Sequence, residues 1–220
     1  MFGNSSFVQS NQSEIHEDLA KVLHRHLSQT YQRPISAAAK AQFKDVEKRL
    51  GERTNSLILD SGCGNGISSC NLAEQFPESF VLGIDKSAFR LSHKKNVPRN
   101  CLLIRAELVD FWRLAEEARW KLQRHYLLYP NPWPKRKHLM RRWHAHPVFP
   151  SLLALGGRLE LRSNWKCYVE EFSESLHLTG KNGAEVKEVV VGNAPISPFE
   201  RKYRASDHAL YSSKIDLDSQ

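Results

Sequence analysis

From residue 42 onward, short runs of leucine and β-branched residues alternate with stretches whose apolar positions recur at helical spacing. Such alternation marks an α/β domain with a mainly parallel sheet, because strands covered by helices on both faces become continuously apolar. The runs that predict strands are Ser56–Asp60, Phe80–Asp85, Cys101–Arg105, Tyr126–Tyr129 and Gly157–Arg162. Helical spacing covers Ile67–Phe76, stopped by Pro77, then Ser87 to about Lys95, Leu108–Trp120, a segment reaching Leu155, and Trp165–Leu178. Val186–Val191 and His208–Ile215 alternate in the manner of an antiparallel hairpin that closes such a sheet. The expected architecture is a doubly wound, mainly parallel seven-stranded sheet with helices on both faces and a C-terminal antiparallel hairpin. Residues 42–220 form its single domain. Ahead of them, residues 1–41 are rich in Ser, Asn, Gln and His and read as a polar arm, partly mobile or helical. Ala37–Leu50 has good helix formers and ends at Gly51.

Composition narrows the class. A chain of 220 residues, 40% hydrophobic and 25% charged, can bury a core and is neither a disordered polyelectrolyte nor a fibrous protein. Its apolar runs fall short of the roughly 18 residues a membrane span requires. Met1–Glu14 has no basic-then-apolar signal pattern. A soluble, cytoplasmic protein with no membrane partner is the expectation. Cys63, Cys70, Cys101 and Cys167 form no Cys-x-x-Cys pair and read as small buried fillers. His138, His144 and His146 lie among arginines that repel a cation, so no metal is expected. The net charge of +8 favours a polyanionic partner.

The first chemical signal follows the first strand. Asp60-Ser-Gly-Cys-Gly-Asn-Gly66 places glycines at alternate positions, Gly62, Gly64 and Gly66, behind a strand-ending carboxylate. A dinucleotide loop wants Gly-x-Gly-x-x-Gly, and an acid in front of it repels a pyrophosphate. A cationic ligand end suits this loop better, and S-adenosylmethionine has one in its ammonium and sulfonium. The second strand ends in Asp85, placed at the carboxyl edge to accept from two ribose hydroxyls. A structural or nicotinamide-type glycine turn is the competing reading.

The second signal is Tyr129-Pro-Asn-Pro-Trp-Pro-Lys-Arg-Lys-His-Leu-Met-Arg-Arg-Trp143. Pro130, Pro132 and Pro134 hold the backbone rigid where the sheet ends and present Asn131 and Trp133 in fixed positions. The basic helix expected next carries Lys135, Arg136, Lys137, Arg141 and Arg142 with no acid among them, which suits phosphate contacts. A solvated face with excess charge is the alternative. Trp133, Trp143 and Trp165 can stack on an unpaired base or belong to the core.

The glycine loop resembles the first motif of class I S-adenosylmethionine-dependent methyltransferases, which implies the Rossmann-like methyltransferase fold. That resemblance also implies that Glu107 lies near the adenine; an acid early in a helix, where the dipole favours it, is the competing reading. The proline segment with Arg141-Arg142 resembles the Pro-Asp-Pro-Trp-x-Lys-x-Arg-His signature of the tRNA (guanine-N7-)-methyltransferases. Ser163-Asn164-Trp165 is similar to that family's Thr-Asp-Trp-like segment, and Ser197-Pro-Phe-Glu200-Arg201 to its Thr-x-Phe-Glu substrate motif. The resemblance spans roughly Leu57 to Leu210. Two family acids are amides here, Asn131 and Asn164, and the threonine is Ser197.

By this resemblance the cofactor is S-adenosylmethionine, held by Asp60, Gly62, Gly64, Gly66, Asp85, Glu107 and Asn131. Asn131 is the catalytic candidate. Lys135, Arg136, Arg141, Arg142, Asn164, Ser197 and Glu200 bind the substrate, tRNA, and the protein is a monomer or homodimer. Guanine N7 carries a lone pair and no proton, so its methylation needs alignment rather than a general base. Glu200 is expected to select guanine by a bidentate grip on N1–H and the exocyclic amine. Two other functions compete. Asn131-Pro-Trp also reads as a variant of the Asn-Pro-Pro-aromatic motif of amino methyltransferases. A divergent paralogue that binds cofactor or RNA without turnover is the third.

Overall fold

The structure is a computed structural model that describes residues 4–93, 96–192 and 194–219, with Asn55 described by its backbone only. Seven strands, β1 (Leu57–Ser61), β2 (Phe80–Asp85), β3 (Cys101–Arg105), β4 (Leu122–Leu128), β5 (Arg158–Ser163), β6 (Glu185–Glu188) and β7 (Tyr211–Asp216), form one sheet in the order β3-β2-β1-β4-β5-β7-β6. The first five strands pair in parallel, and β7 runs antiparallel between β5 and β6. The order reverses at β1, which places a crevice at the carboxyl ends of β1 and its neighbours.

The strands form where the sequence is apolar on both sides. All five residues of β1 are buried; Leu57 and Leu59 enter one core while Ile58 enters the other. One face is covered by α2 (Ala37–Leu50), α5 (Leu108–Glu117), α6 (Phe149–Ala154) and α7 (Lys166–Leu178), whose Phe43, Trp112, Phe149 and Phe172 fill the larger core. The other is covered by α3 (Ile67–Gln75) through Cys70, Leu72 and Ala73, with Tyr203 of α8 (Pro198–Arg204) beside it. All four cysteines are buried.

The differences from the sequence pattern have local causes. β4 begins at Leu122, because the polar His125 is sealed inside, bonded through Nε2 to Ser61 Oγ at 2.8 Å. β6 is shorter than expected and ends at Glu188. The helix expected from Ser87 is a single turn, α4 (Ala88–Leu91), capped by Ser87; its expected end at Lys95 lies outside the described residues. The basic stretch after the prolines is not an α-helix but two 3-10 turns, Arg136–Arg141 and Trp143–Ala145.

The N-terminal segment is packed rather than detached. Helix α1 (Leu19–Ser28) buries Leu19, Leu23 and His26, and α2 runs straight through the boundary placed at residue 41. Sealing Leu19 and Leu23, each 1% exposed, contributes about 1.5–3 kcal/mol apiece.

Candidate active site

A cleft of about 300 Å³ opens at the carboxyl edge of the sheet, lined by Gly62, Cys63, Gly64, Asn65, Ser68 and Arg90, and closed on its far side by Leu128 and Ser197 to Phe199. The loop after β1 makes this cleft by turning through three left-handed glycines, Gly62, Gly64 and Gly66, with φ of 83°, 61° and 79°. Two of them leave room: a Cβ built on Gly62 or Gly64 meets nothing within 4 Å. Gly66 serves packing instead, since its Cβ would lie 2.4 Å from Leu103 Cδ1.

Behind the loop sits Asp60, 1% exposed. Its Oδ2 accepts from Ser68 Oγ at 2.6 Å and Ser69 Oγ at 2.7 Å, while Oδ1 is buried with no partner among the described residues. Burial pushes the carboxyl up to about 6 against the two serine hydrogen bonds, and the charge of Asp85 pushes the same way. An oxygen kept dry and unpaired beside open glycine faces fits a ligand with a cationic end. The residues present therefore suit the sulfonium cofactor that the loop motif implies.

Asp85 is less free than the sequence suggests. Its Oδ2 accepts from Gly64 N at 3.0 Å; its Oδ1 accepts from Ser87 N at 2.8 Å and from Arg90 Nη2 at 2.8 Å. Of these partners Arg90, whose side chain is 45% exposed, is the one not fixed by the backbone. Glu107 is exposed and stands at the N-cap position just before α5, one residue after Ala106, whose N donates to Asp85 O at 3.1 Å. Ser68, Ser69 and Arg90 escaped the sequence reading. The paired hydroxyls in the first turn after the last loop glycine were its available signal.

The proline segment follows β4, the parallel neighbour of β1, at the same carboxyl edge of the sheet. Tyr129 and Trp133, each before a proline, have φ of 54° and 48°. A proline disfavours the right-handed helical region for the residue before it, and the left-handed region costs a non-glycine residue about 1–3 kcal/mol. The surroundings hold both bends. Tyr129 N donates to Arg162 O at 2.8 Å and Tyr129 Oη donates to Glu200 Oε1 at 2.9 Å. Trp133 N donates to Asn131 Oδ1 at 3.3 Å, leaving the exposed Asn131 amide nitrogen available to a ligand.

Several expected substrate groups have other partners. Ser197 caps α8, accepting from Glu200 N at 3.2 Å, so Ser197-x-x-Glu200 acts as a helix-start motif. Glu200 is 2% exposed; its Oε1 also takes Arg162 Nη1 at 2.6 Å, and its Oε2 takes Ile196 N at 2.6 Å. Both oxygens are engaged, so the bidentate grip on guanine expected of Glu200 is not available in this arrangement. Asn164 Nδ2 donates to His208 Nδ1 at 3.0 Å, and His208 stacks on Phe7 with ring centroids 4.2 Å apart.

The five cations divide. Lys135, Lys137 and Arg141 are exposed, Arg141 lying over the Trp133 ring at 4.7 Å. Arg136 pairs with Glu17 of the N-terminal segment. Arg142 is fully buried, its Nη1 2.6 Å from Glu171 Oε2, and it cannot reach a phosphate. The segment itself holds no acid, and Arg136 and Arg142 meet acids from other parts of the chain. Nor are the three histidines a cluster: His144 Nε2 donates to Glu171, His138 packs edge-on against Trp133, and His146 Nδ1 accepts from Val148 N.

A family model described as "Putative methyltransferase" matches residues 54–212. The chain is 29% identical over 197 residues to a tRNA (guanine-N(7)-)-methyltransferase of Syntrophotalea carbinolica, covering 81% of this chain and 80% of that protein. It is 31% identical over 134 residues to one of Halorhodospira halophila, covering 54% of each. Among solved structures, a 16S rRNA (adenine(1408)-N(1))-methyltransferase variant from Catenulisporales acidiphilia, determined with SAM, shares the fold with a TM-score of 0.57 at 16% identity, covering 80% of this chain and 92% of its own. With the match running from before β1 into β7 and so across the whole sheet, the chain belongs to this methyltransferase family.

Proposed function

We propose that the chain transfers the methyl group of S-adenosylmethionine to N7 of a guanine in tRNA. The observation that carries this reading is a juxtaposition. The open glycine loop with its unpaired Asp60 oxygen follows β1, and the strained Pro-Asn-Pro-Trp bend follows its parallel neighbour β4 at the same sheet edge, with Lys135, Lys137 and Arg141 exposed in the stretch directly after the bend. Relatives bearing that activity in their names align over four-fifths of the chain and support the choice of base and RNA.

Asp60 receives the cationic end of the cofactor, Gly62 and Gly64 let its body lie against backbone, and Asp85 accepts from the ribose as Arg90 swings out. Glu107 borders the adenine. When bound, the cofactor supplies a methyl group on a positively charged sulfur. Everything else is alignment, since N7 presents a lone pair without a proton to remove. The Asn131 amide nitrogen donates to the base and, with its oxygen tied to Trp133 N, cannot rotate freely. Lys135, Lys137 and Arg141 neutralise phosphates. Asn164, Ser197 and Glu200 support this arrangement through His208, the α8 cap and Tyr129.

The test is to incubate the protein with tRNA and methyl-labelled cofactor, digest the RNA and identify the labelled nucleoside. 7-Methylguanosine is the expected product. Label on an exocyclic amine, or no transfer by a chain that binds S-adenosylhomocysteine, would overturn the reading.

A further inference from the structure

One side chain joins the two asparagine segments of the site, and it comes from the basic run. Arg142 is 0% exposed. Its Nη1 donates to Glu171 Oε2 at 2.6 Å and its Nη2 to Gln12 Oε1 at 3.0 Å. Its Nε and Nη2 converge on the Trp133 carbonyl at 3.3 and 3.2 Å. The guanidinium also lies 4.8 Å above the Trp165 ring. Trp133 is the residue whose amide holds Asn131 Oδ1, and Trp165 directly follows Asn164.

Glu171 is built to hold this arginine. It is 0% exposed, and each oxygen has two donors: Gln12 Nε2 at 2.6 Å and His16 N at 3.1 Å on Oε1, Arg142 and His144 Nε2 at 3.0 Å on Oε2. Both Glu171 oxygens and the whole Arg142 fork are taken up by these protein partners. What this centre can do is fix the strained bend at Trp133, since a carbonyl gripped by two arms of a planar fork cannot turn.

We propose that Arg142, backed by Glu171 and Gln12, is a positioning residue that holds Asn131 and Asn164 in register with the methyl donor. This rests on the reading of Asn131 as the base-holding residue. It also assigns the N-terminal segment a part in the site, through Gln12. Lysine at 142 keeps the charge opposite Glu171 but cannot span to the Trp133 carbonyl with a second and third donor.

Arg142→Lys is therefore the informative substitution. We expect kcat to fall about tenfold or more, because a small displacement of a positioned group costs rate rather than affinity. The KM values for tRNA and cofactor stay within about twofold, and the salt dependence of tRNA binding keeps its slope. Amide exchange at Trp133 rises about tenfold while the β1 amides keep their protection. Gln12→Ala, which leaves both charges paired, shows the same pattern at about threefold and decides the matter if the lysine variant does not fold. Unchanged kcat with unchanged Trp133 exchange overturns the proposal. So does a salt slope reduced by about one, which marks a phosphate contact. If the unsubstituted protein makes no 7-methylguanosine, it is the function that fails; exchange at Trp133 still decides the role of Arg142.

Discussion

A carboxylate sealed from water with one oxygen unpaired is unstable when ionised, and Asp60 accepts that condition in the absence of ligand. Its folded value of about 6 lies above the ordinary carboxylate range near 3.9. Between these values the folded state binds more protons than the unfolded one, so Asp60 makes the protein less stable as pH rises from about 4 to 6. By pH 7 the penalty is about 3 kcal/mol. A cationic ligand reverses it, since the ionised form then has a partner. Affinity for S-adenosylhomocysteine, which keeps the ammonium, should rise about tenfold from pH 5 to pH 7, following the ionised fraction of Asp60. Asp60→Asn should bind at least about tenfold more weakly at pH 7, lose that pH dependence, and melt no lower than the parent. Calorimetry across this range checks both; a parent protein with flat affinity would show that Asp60 does not meet the ligand's charge.

At the scale of elements, local signals were legible and spatial partners were not. The strands, the glycine loop and the prolines announce themselves because each is a short-range pattern: apolar runs, φ-permissive glycines, fixed φ at Pro130, Pro132 and Pro134. The basic stretch did not, since its geometry depends on residues elsewhere. Arg136 finds Glu17 and Arg142 finds Glu171, acids from the N-terminal segment and α7 that no window around the arginines contains. Glu200 likewise has partners distant in sequence, Tyr129 and Arg162, besides the nearby Ile196 amide. The corrected set makes a graded forecast. Alanine at Lys135, Lys137 or Arg141 should each lower the slope of log affinity for tRNA against log salt by about one. Alanine at Arg136, already neutralised by Glu17, should lower it less. Filter-binding titrations at several salt concentrations measure the slopes, and equal losses at all four positions would contradict the division seen here.

At the scale of the whole molecule, the N-terminal segment is part of the fold because Leu19 and Leu23 complete a helical stripe that its polar surroundings concealed. Burial then sets the response to acid. His125 on β4 lies beneath Trp112, ring centroids 5.8 Å apart, and burial lowers it to about 3; burial, with the charges of His26 and Arg33, lowers His146 to about 4. Each folded histidine stays neutral where its unfolded counterpart takes a proton, so stability falls as pH drops below about 6.5. Each such group removes up to about 1.4 kcal/mol per pH unit, and Asp60 returns a similar amount between about 6 and 4. Two losses outweigh one gain. Glu171 adds nothing in that window: burial raises its carboxyl, but His144 and Arg142 outweigh burial and hold it near 2, so its contribution fades only as pH falls below about 4.5. The urea midpoint should therefore fall between pH 6.5 and pH 4.5, and His125→Gln should flatten part of that fall. A midpoint that holds or rises over this range would mean that His125 gains a proton without unfolding, and that the centre of the sheet admits water.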